Sequence, residues 1–124
     1  FYPDRFQKPT PFQPDIVVSI DGVMEQKLNA LGEIVSQFYE GGANGSAALL
    51  PTDPAKQKER HQLVRQNLAR RNQALAERFR SKLLDWYSAD EAAKVKHLEA
   101  FEICEYGRQP GKAELKKLFP FFGD

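Results

Sequence analysis

The sequence predicts a mixed α/β fold that is predominantly helical by residue count and contains two short strands. Residues 15–20 hold an uninterrupted β-branched run after Pro14, which is typical of a buried strand. Residues 53–87 carry one long helical pattern. Within residues 98–104, apolar and polar side chains alternate, which indicates a second strand near the edge of a sheet.

The first strand runs directly into a predicted helix, so residues 15–39 form one strand–helix unit. Asp21 is the expected N-cap of that helix. Gly41 and Gly42 end it. A strand that leads into an amphipathic helix is half of a βαβ unit, and we therefore expect at least one parallel partner strand. The helix carries one apolar stripe, formed by Met24, Leu28, Leu31, Val35 and Phe38.

Two segments lack a regular pattern. Residues 1–14 contain four prolines and four aromatic residues, so we expect an extended arm that packs irregularly or lies beside a pocket. Residues 40–52 are rich in Gly, Ala and Ser and are predicted to be a flexible loop. This loop lacks the Gly-Lys-Ser/Thr ending of a phosphate-binding loop.

The long helix opens a predicted helical insertion over residues 53–94, with Asp53 as N-cap and Pro54 in the first turn. As one helix, residues 53–87 would span roughly 50 Å, so we expect a kink or a projection from the domain. Its apolar stripe consists of Val64, Leu68, Leu75, Phe79 and Leu83. Nine Lys and Arg residues lie between Lys56 and Lys82. They form a solvated surface, or they contact an acidic partner, RNA or a membrane; the absence of interleaved aromatic residues disfavours RNA.

The last part of the chain, residues 95–124, is predicted to contain the edge strand, a short helix and an aromatic tail. A capping box that begins at Ser88 predicts a short helix over residues 89–94 just before it. Residues 112–118 form the final helix, with Leu115 and Leu118 inward. The aromatic tail that follows must dock somewhere.

Composition limits the possible functions without selecting one. The net charge of +1 gives no global attraction to nucleic acid or anionic membranes. No apolar run approaches the ~20 residues needed to cross a bilayer. A single cysteine, Cys104, excludes an internal disulfide and fits a cytoplasmic location. Because the chain begins at Phe1 rather than Met, we expect a fragment or a processed product.

No complete active site can be assembled from residue types and spacing alone. His97 and Glu99 would lie on one face of a strand, but a pair is fewer than the three ligands of a hydrolytic zinc site, and an ordinary edge-strand histidine is favoured. His61 has no second ligand one helical turn away. Cys104 has no neighbouring base, and Ser36 lacks the G-x-S-x-G context of a nucleophile.

Two segments resemble the C-terminal half of the PIG-L / LmbE family of zinc-dependent N-deacetylases. The first begins with Arg5-Phe-Gln-Lys-Pro-Thr-Pro-Phe-Gln-Pro-Asp-Ile-Val-Val and continues with Lys27-Leu-Asn-Ala-Leu and Val35-Ser-Gln-Phe-Tyr39. The second is Lys96-His-Leu-Glu-Ala-Phe-Glu-Ile-Cys-Glu-Tyr-Gly-Arg-Gln-Pro110, followed by Leu118-Phe-Pro-Phe121. Residues 41–87 fit the resemblance only as a variable helical insertion.

The resemblance implies the C-terminal part of a Rossmann-like sheet domain. It implies a hydrolase that removes the N-acetyl group from an N-acetylglucosaminyl conjugate, of glycolipid or thiol-precursor type, with zinc-activated water. The family's His-Pro-Asp-Asp motif is absent from this sequence, so the metal ligands and catalytic base are expected upstream and this chain alone is expected to be inactive. Ile34 and His97 also depart from the family pattern, which has His or an aromatic residue at the first position and Tyr at the second.

The resemblance also sets expectations for the site and the partners. Arg5, Gln37, Glu99 and Phe101 are the residues expected nearest the substrate, where they would contact sugar hydroxyls or shape the cleft. The expected partners are the N-terminal half of the enzyme and an amino-sugar conjugate, and a homo-oligomer is a further expectation. The alternative hypothesis is a non-enzymatic helical module that binds an acidic partner or RNA through the basic helix at residues 54–87.

Overall fold

The computed structural model describes residues 11–122, which form two strands, six helices and three short 3-10 turns. The chain is mixed α/β and mostly helical, as the sequence predicts. The 3-10 turns cover Asp21–Val23, Gly42–Asn44 and Ala47–Leu49. In chain order the elements are β1 (Ile16–Ser19), α1 (Met24–Gly32), α2 (Val35–Phe38), α3 (Pro54–Arg78), α4 (Arg80–Leu83), α5 (Ala89–Lys94), β2 (Leu98–Phe101) and α6 (Lys112–Leu118).

The two strands form an antiparallel sheet, with Val18 opposite Glu99. The parallel partner expected for β1 is not present within residues 11–122. β2 also ends at Phe101, three residues earlier than predicted. The reason is a side-chain bond: the Ile103 N–H donates to the Asp15 carboxylate at 2.7 Å, so the chain leaves the strand ladder there.

Each face of the sheet is covered by a separate apolar cluster. Because successive strand residues point to opposite faces, Val17 and Val18 belong to different clusters. The face with Val17 and Leu98 packs against Ala76 and Leu83 of the long helical segment. On the opposite face, the buried residues are Ile16, Val18, Ile20, Met24, Leu28, Leu115 and Phe122.

The predicted helix at residues 21–39 is divided into a 3-10 turn, α1 and α2. Asp21 does not cap it, because its carboxylate accepts hydrogen bonds from the backbone N–H groups of Lys96 and His97. The break after Gly32 lets the chain fold back. A Cβ at that position would lie 2.8 Å from the Tyr39 hydroxyl, so glycine permits the close approach of this buried ring.

The apolar stripe of that segment is consequently buried only in its first half. Met24 and Leu28 are buried, whereas Val35 is 40% exposed. An unbroken helix would have kept Val35 on the same apolar stripe as Met24 and Leu28. The backbone of Ile34 is not helical, so the side chains of α2 leave that stripe.

The predicted long helix is broken at Phe79, which confirms the expected kink. Helix α3 spans 25 residues, roughly 38 Å, and α4 follows after a single residue. The Phe79 ring packs edge-on against Phe12 at 5.9 Å. Leu83, in the short helix after this break, is fully buried in the core.

Helix starts follow the sequence signals. The Asp53 carboxylate accepts from the Lys56 N–H at 2.9 Å and caps α3. The capping box at Ser88 is present, and hydrogen bonds from the Ser88 hydroxyl and backbone lower the pKa of Glu91. In α6, Leu115 is buried as predicted, but Leu118 is 68% exposed, so its inward placement was wrong.

The aromatic tail docks on the sheet. Phe122 is buried and stacks on Trp86 with the ring centroids 4.6 Å apart. Phe119 packs beside Phe101 of β2 at 5.8 Å. Among the described residues, no helix has the length and apolar character needed to cross a bilayer.

Candidate functional site

A cavity of about 680 Å³ lies against the sheet face that the aromatic tail covers. Its walls come from the end of β1 and the turn after it, from β2, from the loop after α4, from the end of α6 and from the aromatic tail. This volume falls within the range of roughly 300–1,000 Å³ typical of small-molecule sites. The lining residues are Val18, Ser19, Ile20, Gly22, Val23, Tyr87, Glu99, Phe101, Leu118, Phe119 and Phe121.

Glu99 is the only carboxylate among these lining residues, and α1 holds it in place. Lys27 donates to Glu99 Oε1 at 2.6 Å and to Asn72 Oδ1 at 3.0 Å. Asn72 is buried in α3 and donates in turn to the Leu68 carbonyl. Glu99 therefore keeps one oxygen paired while the side chain remains 39% exposed, so it can still accept a hydrogen bond from a ligand.

Aromatic rings line the same cavity as Glu99. Phe101 lies two residues further along β2, on the same face of the strand. Phe119 packs between Phe101 and Phe121, with centroid distances of 5.8 Å to each. Together the rings and the carboxylate can hold a ligand that has both an apolar surface and hydroxyl groups.

Tyr87 fixes the floor of the cavity to β1. Its hydroxyl accepts a hydrogen bond from the Ser19 N–H at 2.9 Å, and Trp86 donates to the Asp15 carbonyl at 3.2 Å. Partial burial raises the pKa of Tyr87 above its ordinary value of 10.0, so the hydroxyl stays protonated near neutral pH.

A second cavity begins on the other side of the turn after β1. Its best-defined group is a pair in which His97 Nδ1 lies 2.8 Å from Asp21 Oδ1. Partial burial by itself would raise the pKa of Asp21, but the hydrogen bonds from the Lys96 and His97 backbone N–H groups and from the His97 ring outweigh burial and lower it. The pair holds the start of β2 against the turn.

The structure brings together two of the four residues expected at the substrate. Glu99 and Phe101 line the same cavity. Gln37 is exposed in α2 and is not among the residues that line it. Arg5 lies outside the described residues. His97, considered beside Glu99 from their spacing, binds Asp21 instead.

Residues 11–122 contain no group of three or more His, Cys, Asp or Glu side chains placed to hold a metal ion. The chain matches no family model, no curated protein and no solved structure.

Two further residues that could have carried chemistry, His61 and Cys104, are not among the residues that line the cavity beside Glu99. His61 stacks on Tyr39 at 4.0 Å, and Cys104 is an exposed free thiol.

Part of the predicted basic surface supports the fold. Arg60 donates twice to the Tyr39 carbonyl, at 3.0 and 3.1 Å. Arg65 bonds Glu25 and Asn29 across to α1. Arg80 donates to the Ala92 and Val95 carbonyls at the end of α5. The number of Lys and Arg residues along the helix is therefore larger than the number of cations that face solvent.

Sequence reasoning missed Lys27, Asn72, Tyr87 and Asp21 as residues that shape the two cavities. One signal was available for Asn72, because it lies within the apolar stripe of the long helix, between Leu68 and Leu75. A buried amide needs a polar partner, and that requirement predicts a donor such as Lys27 nearby. For Tyr87, no local pattern indicates its distant partner, Ser19.

Proposed function

We propose that this chain is the C-terminal portion of a zinc-dependent hydrolase that removes the N-acetyl group from an N-acetylglucosaminyl conjugate. In this proposal, β1 and β2 belong to a Rossmann-like sheet whose other strands lie upstream. The cavity beside Glu99 and Phe101 then forms part of the substrate cleft.

One observation supports the proposal most directly. The two segments that carry the family resemblance are about 80 residues apart in the chain, yet they pair as β1 and β2 with Val18 opposite Glu99. Of the helices between them, α3 and α4 contribute Ala76 and Leu83 to one face of the sheet, and α1 contributes Met24 and Leu28 to the other. The resemblance therefore involves segments that meet at one place in the fold.

The chemistry of the cavity is compatible with an amino-sugar conjugate. A carboxylate such as Glu99 accepts hydrogen bonds from sugar hydroxyls. The ring of Phe101 offers an apolar surface against which the hydrocarbon face of a sugar can pack. These residues would bind and orient the substrate and would not take part in proton transfer.

The described residues do not fit a zinc site, so no hydrolytic step is assigned to them. In the proposed enzyme, zinc would be held by residues upstream of this chain and would supply the activated water. The contribution of residues 11–122 is then to bind the substrate and complete the sheet.

The deciding experiment uses the native protein. Its intact mass and N-terminus, its zinc content and the acetate that it releases from N-acetylglucosamine conjugates are measured on one sample. We expect an upstream extension, about one zinc per chain and acetate release. A native chain that begins at Phe1, binds no zinc and releases no acetate would overturn the proposal.

The alternative is an interaction module that uses the exposed basic side chains of α3. Lys56, Lys58, Arg70 and Arg71 are exposed there, which favours an acidic partner. Binding of this kind weakens as salt rises, because solvent-exposed charges are screened. Loss of binding to an acidic partner when Arg70 and Arg71 are both changed to Gln would support the module and not the hydrolase.

A further inference from the structure

Two adjoining cavities along α5 form one groove. The cavity beside His97 has a volume of about 960 Å³, and the cavity next to it has a volume of about 510 Å³. The residues that line both are Glu77, Arg80 and Ala93. We call this feature the α5 groove, and it runs from Leu84 to His97. It shares no lining residue with the cavity beside Glu99, so it is separate from the proposed substrate cleft.

Arg80 fixes the shape of the α5 groove. Its guanidinium donates to the carbonyls of Ala92 and Val95 at 2.8 and 2.9 Å, and it pairs with Glu77 at 2.6 Å. Because the carbonyls in the last turn of a helix have no partner within that helix, these bonds attach the end of α5 to α4. A groove whose walls are already bonded to each other gives up little conformational freedom when a ligand binds.

The positive charge of the α5 groove is concentrated at Lys94 and Lys96. Both side chains are exposed, and neither forms an ion pair within residues 11–122. The two carboxylates that line the groove, those of Asp21 and Glu77, are already bonded to other side chains of the groove. The two lysines therefore leave an excess of positive charge at this end, which attracts an anionic group.

The opposite end of the α5 groove is apolar. Leu84 is 58% exposed there, and Ala89 and Ala93 of α5 line the same cavity with side chains small enough to leave room for a ligand. A large apolar side chain is stabilised when a partner removes it from water. From Ala89 to Lys94 the helix rises roughly 8 Å, which is the approximate separation of the apolar and cationic ends along α5.

This arrangement suits an extended peptide better than an enclosed small molecule. Most of the side chains that line the α5 groove are exposed, so a ligand there remains open to solvent along its length. A peptide backbone can then keep its hydrogen bonds to water. Because an extended chain advances about 3.3 Å per residue, positions two or three residues apart span the separation between the two ends.

We propose that the α5 groove binds an extended acidic segment of a partner protein. An apolar side chain of the segment packs against Leu84, and a carboxylate two or three positions away binds at Lys94 and Lys96. The charge selects the acidic residues, and the exposed leucine sets the register of the segment. This binding goes beyond the proposed hydrolase and does not depend on it.

The test measures the fluorescence anisotropy of labelled peptides mixed with the full chain. The first peptide is Glu-Glu-Gly-Gly-Leu-Gly-Gly-Glu-Glu, which presents the same spacing in both chain directions. In the second peptide Gln replaces every Glu, and in the third Ala replaces Leu. We expect the first peptide to bind most tightly and each replacement to weaken binding by about fivefold. Equal binding by the three peptides would overturn the proposal.

Variants of the protein locate the binding site. Leu84→Ala should weaken binding of the first peptide by about fivefold and leave the third unchanged. Changing Lys94 and Lys96 together to Gln should weaken the first peptide by about fivefold and leave the second unchanged. The matched controls are Leu118→Ala, at a leucine that is 68% exposed on another surface, and Lys117→Gln. Controls that weaken binding as much as the groove variants would overturn the assignment.

Other occupants of the α5 groove give different results. A second copy of the chain would appear as concentration-dependent association in sedimentation, reduced by Leu84→Ala, with no peptide binding. A single-stranded RNA that binds more tightly than the first peptide would show that the groove recognises phosphates. Loss of peptide binding only when Arg70 and Arg71 are changed to Gln would assign the peptide to the exposed face of α3. Each of these results overturns the proposal.

The proposal and the proposed function can fail separately. Leu84, Lys94 and Lys96 do not line the cavity beside Glu99, so their variants should release acetate at the rate of the unmodified native protein. Peptide binding without acetate release would leave the α5 groove assigned and would overturn only the hydrolase. Acetate release without peptide binding would overturn only the α5 groove proposal.

Discussion

Asp21 shows how one side chain can carry several interactions that join distant parts of the chain. Its two carboxylate oxygens accept from the Lys96 N–H at 2.9 Å and the His97 N–H at 2.8 Å, and Oδ1 also bonds the His97 ring. These bonds connect the turn after β1 to the start of β2. They also explain why the pKa of Asp21 is lowered although the side chain is partly buried.

We expect Asp21→Asn to lower the free energy of unfolding at pH 7 by about 1 kcal/mol, because the amide accepts these hydrogen bonds less well than the carboxylate. The lowered pKa of Asp21 means that its stabilising contribution is present above the ordinary value of 3.8 and is lost as pH falls through the folded-state pKa. Urea unfolding at pH 7 and pH 3 checks this. A difference between the two proteins that stays constant over this range would contradict the assignment.

Variants of Glu99 and Gln37 are expected to differ in their effect on kcat/KM. In the native enzyme of the proposed function, Glu99→Gln should lower kcat/KM by about tenfold, because a neutral amide is a weaker acceptor for a sugar hydroxyl. Gln37→Ala should leave kcat/KM unchanged, since this residue does not line the cavity. A melting curve for each variant checks that folding is intact. Equal kcat/KM for the Glu99 variant and the unmodified enzyme would remove Glu99 from the site.

At the scale of single elements, caps and glycines decide where helices begin and how they turn. Asp53 and Ser88 begin α3 and α5 through bonds between near neighbours in sequence. By contrast, the breaks after Gly32 and at Phe79 depend on rings that pack from elsewhere. Tyr39 returns to Gly32, and Phe79 packs on Phe12.

The Ser88 capping box gives a test of this local control. Ser88→Ala removes the hydroxyl that bonds Glu91 at 2.6 Å and should lower the free energy of unfolding by about 1 kcal/mol. The melting temperature should fall by roughly 3–5 °C. The control is Ser81→Ala, at an exposed position in α4. Equal melting temperatures for the two variants would show that the box contributes nothing to folding.

At the scale of the whole molecule, the tail closes the second face of the sheet. Phe122 is 5% exposed and contacts Trp86 and Tyr87, which bond the backbone just before β1 and at its last residue. One end of the chain is thereby coupled to the strand at the other end. Without this contact, Ile16 and Val18 would lose part of their cover.

Phe122→Ala should therefore destabilise the chain by about 3 kcal/mol and shift the emission of Trp86, the single tryptophan, to longer wavelength. The adjacent Phe121→Ala is the matched control, since Phe121 is 59% exposed and should cost less than about 1 kcal/mol. Chemical unfolding followed by fluorescence measures both. Similar costs for the two variants would mean that the tail does not dock through Phe122.

Much of the fold is encoded locally and could be predicted. The capping signals at Asp53, Ser88 and their neighbours act within a few residues, and the β-branched run at Ile16 favours an extended backbone wherever it packs. Only part of the candidate site could be predicted from the sequence. Glu99 and Phe101 share a strand face, so their common cavity follows from alternation along β2.

The sequence by itself determined the element types, the helix starts and the position of the kinked helix, because hydrogen bonds and periodicity within a few residues control them. Only the tertiary structure decided the antiparallel pairing, the early end of β2 at the Asp15–Ile103 bond and the exposure of Leu118. It also joined Lys27 to Glu99 and Asp21 to His97. Those contacts link residues about 70 to 90 positions apart, and no local pattern specifies which distant groups will meet when the two faces of one small sheet are covered.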